Sequence, residues 1–298
     1  SAIMCNRNNE STRYMAMNYR YHFTYTVDGA VKTARNSNED FDFTLRESKN
    51  SIKATIVPKK PLYVNSFYVE RDYEYAEGAK FFANGFQSWT DTREFGRNDK
   101  MSGLGTIGKS PYGKMMGIDY VGDYTFVPQE REHGTFHSHG IAYVKTGKEL
   151  DFFGSVTDRT GYTVIYADMN RNTLRFSKDV EGVLIDEAYT LLDLYHTEGK
   201  YDDVFDAYFD AIGVKPRTDE KIKGYTSWYN YYEKINEEVI LRDLEALSEH
   251  KDDVNIYQID DGFETRVGDW FSIDPEKFPN GIKYIADAIH EKGFKAGI

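Results

Sequence analysis

A single cysteine, Cys5, stands in this chain of 298 residues. That scarcity excludes an intramolecular disulfide and any zinc site built from several thiolates. Basic clusters are also scarce: the longest is the pair Lys59-Lys60, and 49 acidic against 37 basic side chains give a formal charge of −12. Phosphate recognition relies on clustered Lys and Arg, so nucleic acid is excluded as a partner and an anionic membrane is disfavoured. No apolar run reaches the roughly 18 residues of a membrane-spanning helix. The opening SAIMCNRNNE lacks the apolar core of a signal peptide, which points to the cytoplasm. Aromatic residues, by contrast, are abundant: 24 Tyr, 19 Phe and 3 Trp make up 15% of the chain. Aromatic faces pack well in β-structure, the commoner use, and also stack on the apolar C–H faces of sugars. An acidic surface with this composition suits a soluble enzyme acting on an uncharged ligand.

The pattern changes near residue 200. Before it, short alternating runs at Tyr19–Tyr25, Ser51–Val57, Leu62–Val69, Ile141–Val144, Tyr162–Ala167 and Thr173–Phe176 predict strands. Turn signals such as Asp28-Gly29, Thr146-Gly147 and Thr160-Gly161 separate them. Many strands without intervening helices predict a sandwich of two antiparallel sheets over residues 1–213. A helix over 202–212, with Gly213 as its C-cap, closes that domain, and residues 214–220 (VKPRTDE) read as a linker. From 221 to 298 the order becomes β-α-β-α-β. Strands are predicted at Gly224–Tyr229, Val254–Ile259 and Phe294–Ile298, with helices at Asn236–His250 and Ile282–Glu291. Alternation of this kind implies a parallel sheet with crossover helices. Three parallel strands leave a hydrophobic edge, so a longer chain or a second polypeptide is expected to complete the sheet.

The constellation Ile259-Asp260-Asp261-Gly262-Phe263 closes the second parallel strand. In α/β architectures the C-terminal strand ends are where active sites are built. Consecutive strand residues face opposite ways, so both carboxylates serve one site only if the chain turns there, which Gly262 permits. Two such carboxylates accept hydrogen bonds from neighbouring hydroxyls of one sugar ring. The plain alternative is an Asp-Gly turn.

Four blocks give that pair its context: NGFQSWT (84–90), GYTSWYNYYEKINEE (224–238), IDDGFETRVGDW (259–270) and KFPNGIKYIADAIHEKGFKAGI (277–298). Together they resemble the α-galactosidase glycoside hydrolases related to melibiases and raffinose synthases, densely over 224–298 and mainly through 84–90 before that. The resemblance implies an N-terminal antiparallel β-supersandwich followed by the first three strands of a (β/α)8 TIM barrel, incomplete in this chain. It implies that Asp260 and Asp261 bind the 4- and 6-hydroxyls of a galactosyl unit. Trp228 matches an apolar wall of the pocket, against the alternative of a barrel-core aromatic. Trp89 matches a tryptophan of the N-terminal domain that reaches over the pocket, against burial in the sandwich core. Phe263 stands where many members have Trp. Trp270, after Gly268-Asp269, divides evenly between the pocket and simple loop packing.

The function implied is a retaining α-galactosidase removing terminal α-linked galactose from oligosaccharides without a cofactor. An α-N-acetylgalactosaminidase or a raffinose-synthase-like transferase shares the fold, and a non-catalytic galactoside-binding protein is the rival of another class. Retaining enzymes pair a nucleophile with an acid/base about 5–5.5 Å away. The family places these on the fourth and sixth strands, so both are expected beyond Ile298 and none is assigned here. An α-galactoside is the expected partner, with a homo-oligomer left open. No metal site is expected either: His133, His137 and His139 have no acidic residue between them to complete a motif. Gly103, Gly105 and Gly108 are not followed by the helix that a nucleotide loop needs.

Overall fold

A computed structural model describes residues 19–86, 90–101, 110–117, 127 and 132–298. It divides into two compact units, one ending at Lys215 and the other running from Pro216 to Ile298.

In the first unit the strands are β1 (Arg20–Val27), β2 (Ala30–Ala34), β3 (Phe41–Ser48), β4 (Ser51–Pro58), β5 (Leu62–Asp72), β6 (Lys80–Ala83) and β7 (Arg93–Gly96). After helix α1 (Pro111–Met115) come β8 (Thr135–His139), β9 (Ile141–Thr146), β10 (Glu149–Ser155), β11 (Thr163–Asp168), β12 (Thr173–Lys178), β13 (Val183–Ile185) and β14 (Tyr189–Gly199). They form two seven-stranded antiparallel sheets. One runs β2-β1-β5-β12-β11-β8 with β13 beside β5, and the other runs β3-β4-β14-β10-β9-β6-β7. The turn signals act as expected. Asp28 (φ 51°) and Gly29 (φ 77°) both take the left-handed conformation that a two-residue hairpin needs between Val27 and Ala30.

Part of the aromatic excess is consumed between these sheets. Phe23 of one sheet meets Phe41 of the other edge-on at 5.1 Å, and Phe153 meets Phe176 at 5.2 Å. Phe81 stacks across on Phe136, and all six rings are fully buried. Each such ring contributes roughly 1.5–3 kcal/mol through apolar burial. One departure from expectation is α1, a short helix among the strands. Pro111 occupies its first turn, and Ser110 Oγ accepts the Gly113 N–H at 3.0 Å.

Helix α2 (Tyr201–Ala211) follows β14 and lays Val204 and Tyr208 against the second sheet. Its end is set by Gly213 at φ 70°, whose N–H donates to Asp210 O while Val214 N–H donates to Phe209 O. That double bond pattern terminates helices and favours glycine.

The second unit holds β15 (Gly224–Thr226), α3 (Trp228–Tyr231), α4 (Glu237–Leu247), a 3-10 turn at Ser248–His250, β16 (Ile256–Gln258), α5 (Gly281–Glu291) and β17 (Lys295–Gly297). The three strands pair in parallel and in sequence order, β15-β16-β17. Helix α4 starts where Asn236 Oδ1 accepts the Val239 N–H at 2.8 Å. Ile240 and Leu244 of α4 join Ile285 and Ile289 of α5 in a core with Tyr257, Phe263, Phe278 and Phe294. The strand predicted over 224–229 is shorter than expected. It ends at Thr226, and Trp228 opens a one-turn helix instead, with Tyr231 and Tyr232 N–H bonded back to Ser227 and Trp228 O.

Candidate functional site

The site is built at the C-terminal ends of β15 and β16. Strand β16 stops at Gln258, and the chain then turns through Gly262, whose φ of 112° is a conformation that side chains rarely adopt. A Cβ at this position would lie 2.5 Å from Glu233 O, so close packing also demands glycine. The turn brings the two aspartates together: the Asp261 N–H donates to Asp260 Oδ1 at 2.9 Å. Both line one cavity of about 110 Å³ with Gln258, Phe263, Trp270 and Ile298.

Strand β15 fixes Asp260 from the side. Thr226 Oγ1 donates to Asp260 Oδ2 at 3.1 Å, and the buried Ser227 Oγ accepts the Asp260 N–H at 3.0 Å. Glu264, buried below the turn, accepts the Gly262 N–H on Oε2 at 2.9 Å. Burial pushes the Asp261 carboxyl above the ordinary aspartate range, and the nearby carboxylates of Glu264, Asp260 and Glu233 push it the same way. A carboxylate in such a setting is a strong acceptor for a hydroxyl, since a neutral donor brings no further charge.

Trp228 is half-buried on α3, immediately after Ser227, with its ring edge-on to Tyr232 at 5.3 Å. It is not among the side chains lining the cavity, whereas Trp270 is, with about 59% of its surface exposed. Tyr229, Tyr232 and Phe271 are also exposed at this end of the sheet. Trp89 lies outside the described residues, as do Gly103, Gly105 and Gly108. Residues that sequence reading missed are Thr226, Ser227 and Glu264. Ser227 sits next to Trp228, but nothing in the sequence announces that its hydroxyl holds the Asp260 backbone.

His137 and His139 share a buried face of β8, their rings 5.4 Å apart, and His133 Nδ1 lies 2.8 Å from Asn98 O. The group with metal-ligand spacing among the described residues is a different one, Asp151, His196 and Glu198. Asp151 is already engaged there by His196 Nε2 at 2.7 Å and by the Tyr73 hydroxyl at 2.6 Å, with the Arg71 guanidinium 3.9 Å away. A neighbouring guanidinium opposes a cation, so this is a polar network between strands. No helix among the described residues is long and apolar enough to cross a membrane.

No protein-family model matches the chain. Curated relatives do match, two α-galactosidases among them. The α-galactosidase mel1 of Schizosaccharomyces pombe is 32% identical over 111 residues, which is 33% of this chain and 23% of that protein. A probable α-galactosidase of Dictyostelium discoideum is 42% identical over 81 residues, 25% of this chain and 21% of the other. Among solved structures, TtGalA, the α-galactosidase of Thermus thermophilus bound to p-nitrophenyl α-D-galactopyranoside, superposes with a TM-score of 0.54 at 20% identity. That match covers 92% of this chain and 48% of the enzyme. The Lactobacillus brevis α-galactosidase gives 0.51 at 11% identity, covering 92% and 43%. The chain thus spans less than half the length of these structures, and its matches less than a quarter of the curated relatives. At such identity the structural likeness bears on the fold, and the sequence relatives bear on the family.

Proposed function

The chain is related to the α-galactosidases over part of its length, and on that premise we propose that it is part of a retaining α-galactosidase. The three parallel strands are then the first of a (β/α)8 barrel, with residues 214–220 linking it to the sandwich. The single observation that carries the reading is the convergence of Asp260, Asp261 and Trp270 on one cavity at the C-terminal strand ends. The aspartates accept the 4- and 6-hydroxyls of galactose. An axial 4-hydroxyl separates galactose from glucose, so the pair sets specificity. Trp270 supplies an apolar wall for the C–H faces, and Trp228, which does not line this cavity, serves as a second wall where later strands extend it.

A cavity of about 110 Å³ takes one edge of a sugar, whereas ligand sites usually run to roughly 300–1,000 Å³. The remaining walls belong to later barrel strands in this reading. So do the two carboxylates of the double displacement, one attacking the anomeric carbon and the other protonating the leaving oxygen. Asp260 and Asp261 bind and orient. They neither attack nor protonate.

Hydrolysis of an aryl α-galactoside by the complete protein tests this. Turnover that Asp260→Asn or Asp261→Asn lowers supports the reading, and wild-type turnover in both variants removes the pair from the site. Galactoside binding without hydrolysis in the complete protein would favour a binding role instead.

A further inference from the structure

The segment carrying Trp228 is held in a conformation that its own sequence disfavours. Tyr232 has φ 51° and ψ −134° at the first central position of a β-turn, which the Lys234 N–H closes onto Tyr231 O at 3.0 Å. Glycine dominates that turn position because a side chain there crowds the backbone. Residues persist in such strain only where their surroundings over-determine them, and such places cluster at working sites.

The surroundings here centre on Lys277. Its ammonium donates to Glu233 O at 3.0 Å and to Gly262 O at 2.9 Å. It therefore bridges the strained turn after Trp228 and the glycine turn after Asp261. Those two backbones already touch, since a Cβ on Gly262 would strike Glu233 O, Cα and C. Lys277 is anchored in its turn, its N–H on Asp274 Oδ1 and its carbonyl accepting the Glu237 N–H at the start of α4. At the other end of the strained segment, the Tyr232 N–H holds Trp228 O at 2.9 Å while its ring meets the indole edge-on.

We propose that Lys277 is a positioning residue which, by tying the turn at Tyr232–Glu233 to the turn at Gly262, sets Trp228 in register with Asp260 and Asp261. The value of this register for sugar binding rests on the function proposed above. The clamp itself does not. An ammonium suits the task because it reaches two carbonyls from one tetrahedral centre and brings no acceptor of its own.

Protein labelled with ¹⁵N-tryptophan gives indole signals from Trp89, Trp228 and Trp270, assigned by single Trp→Phe changes. Lys277→Met should shift and broaden the Trp228 signal while leaving Trp270 in place. It should also weaken binding of methyl α-D-galactopyranoside about tenfold. Lys277→Arg, which keeps two donors, should restore much of both. A folded Lys277→Met protein with an unmoved Trp228 signal overturns the proposal, as does an Arg variant no better than Met. Should Lys277→Met fail to fold, Lys277→Gln gives the second reading, since its shorter, uncharged amide keeps a polar group there while breaking the double contact. An unchanged Trp228 signal in that variant also overturns the clamp. Wild-type protein that binds no galactoside defeats the proposed function instead, and the Trp228 signal still decides the clamp.

Discussion

Two carboxyl groups, one in each unit, are displaced in opposite directions. Asp40, buried in the sandwich unit, accepts hydrogen bonds from Lys32 Nζ and the Tyr25 hydroxyl, both at 2.8 Å, with Lys60 Nζ 3.3 Å away. The Lys32 ammonium, foremost, holds its carboxyl down at about 2. Asp261 in the parallel unit is pushed upward by burial and by three neighbouring carboxylates. The sandwich unit surrounds the buried Asp40 with donors and packs rings such as Phe23, Phe41 and Phe81 between its sheets, while Tyr63, Tyr112, Tyr162, Tyr201 and Phe209 stay exposed elsewhere on it. The parallel unit gathers like charges at one end and leaves Tyr229, Tyr232, Trp270 and Phe271 exposed beside them. Structure that serves only its own stability is expected to look like the first. A surface that keeps unfavourable charge and wet aromatic rings together is suited to a ligand, because natural sites trade stability for function.

The strongest way to break this contrast is within the sandwich core. Phe23, fully buried, touches Tyr25, Phe41 and Phe67. Phe23→Ala should cost about 3–5 kcal/mol of stability, the usual toll for truncating a packed phenylalanine. Urea denaturation measures it, and a loss below about 1 kcal/mol would mean that these rings are not close-packed.

Next in size is the effect of Asp260→Asn. The amide keeps the volume but offers one acceptor oxygen where Asp260 uses two, for the Thr226 hydroxyl and the Asp261 N–H, and it accepts a sugar hydroxyl more weakly. Galactoside affinity of the complete protein should fall by about 1–3 kcal/mol, roughly five- to 150-fold. Inhibition by free galactose provides the measurement. An unchanged inhibition constant would detach Asp260 from sugar binding.

The comparison also explains what the sequence made legible. Strands with strict alternation, such as Ser51–Val57, appear within a residue of their expected limits, because one buried face fixes their register. Gly213 announced the end of α2 because few other residues tolerate its conformation. The Asp260-Asp261-Gly262 turn was readable for the same reason. Trp228 reads as part of a strand because its aromatic run, Trp228 to Tyr232, carries β-propensity. Tertiary contacts override that preference: Ser227 Oγ is committed to the Asp260 N–H, 33 residues away in sequence, and the chain turns at once. Lys277 and Glu264 act through backbone groups of distant or turning segments, and no spacing rule encodes such contacts.

Acid should separate the two units. A folded pKa near 2 against an ordinary 3.8 means that Asp40 favours the folded state while ionised. Its contribution is complete above the unfolded value and drains away as pH falls through about 4 to 2. With partly exposed lysines as partners, screening leaves about 1–2 kcal/mol. Asp40→Asn should therefore lower stability at pH 7 and flatten the acid limb of the unfolding curve. An acid limb that keeps its slope would assign acid sensitivity elsewhere.

Asp261→Asn should show the smallest change in stability, and in the opposite direction. A raised folded pKa means that the folded state disfavours the ionised form, so stability is lost as pH rises through the aspartate range. At neutral pH the wild-type protein carries that penalty in full. Asparagine imitates the protonated carboxyl in shape and charge, so the variant should be more stable than wild type at pH 7. The gain should vanish as pH falls below the aspartate range, where the wild-type side chain is itself neutral. Galactoside binding should weaken in the same variant, since the amide is the poorer acceptor. Thermal unfolding at pH 7 and pH 3, beside galactose inhibition at pH 7, measures both. A variant that loses affinity and stability together would make Asp261 a structural residue. One that gains stability without losing affinity would leave the carboxylate cluster without a ligand to justify it.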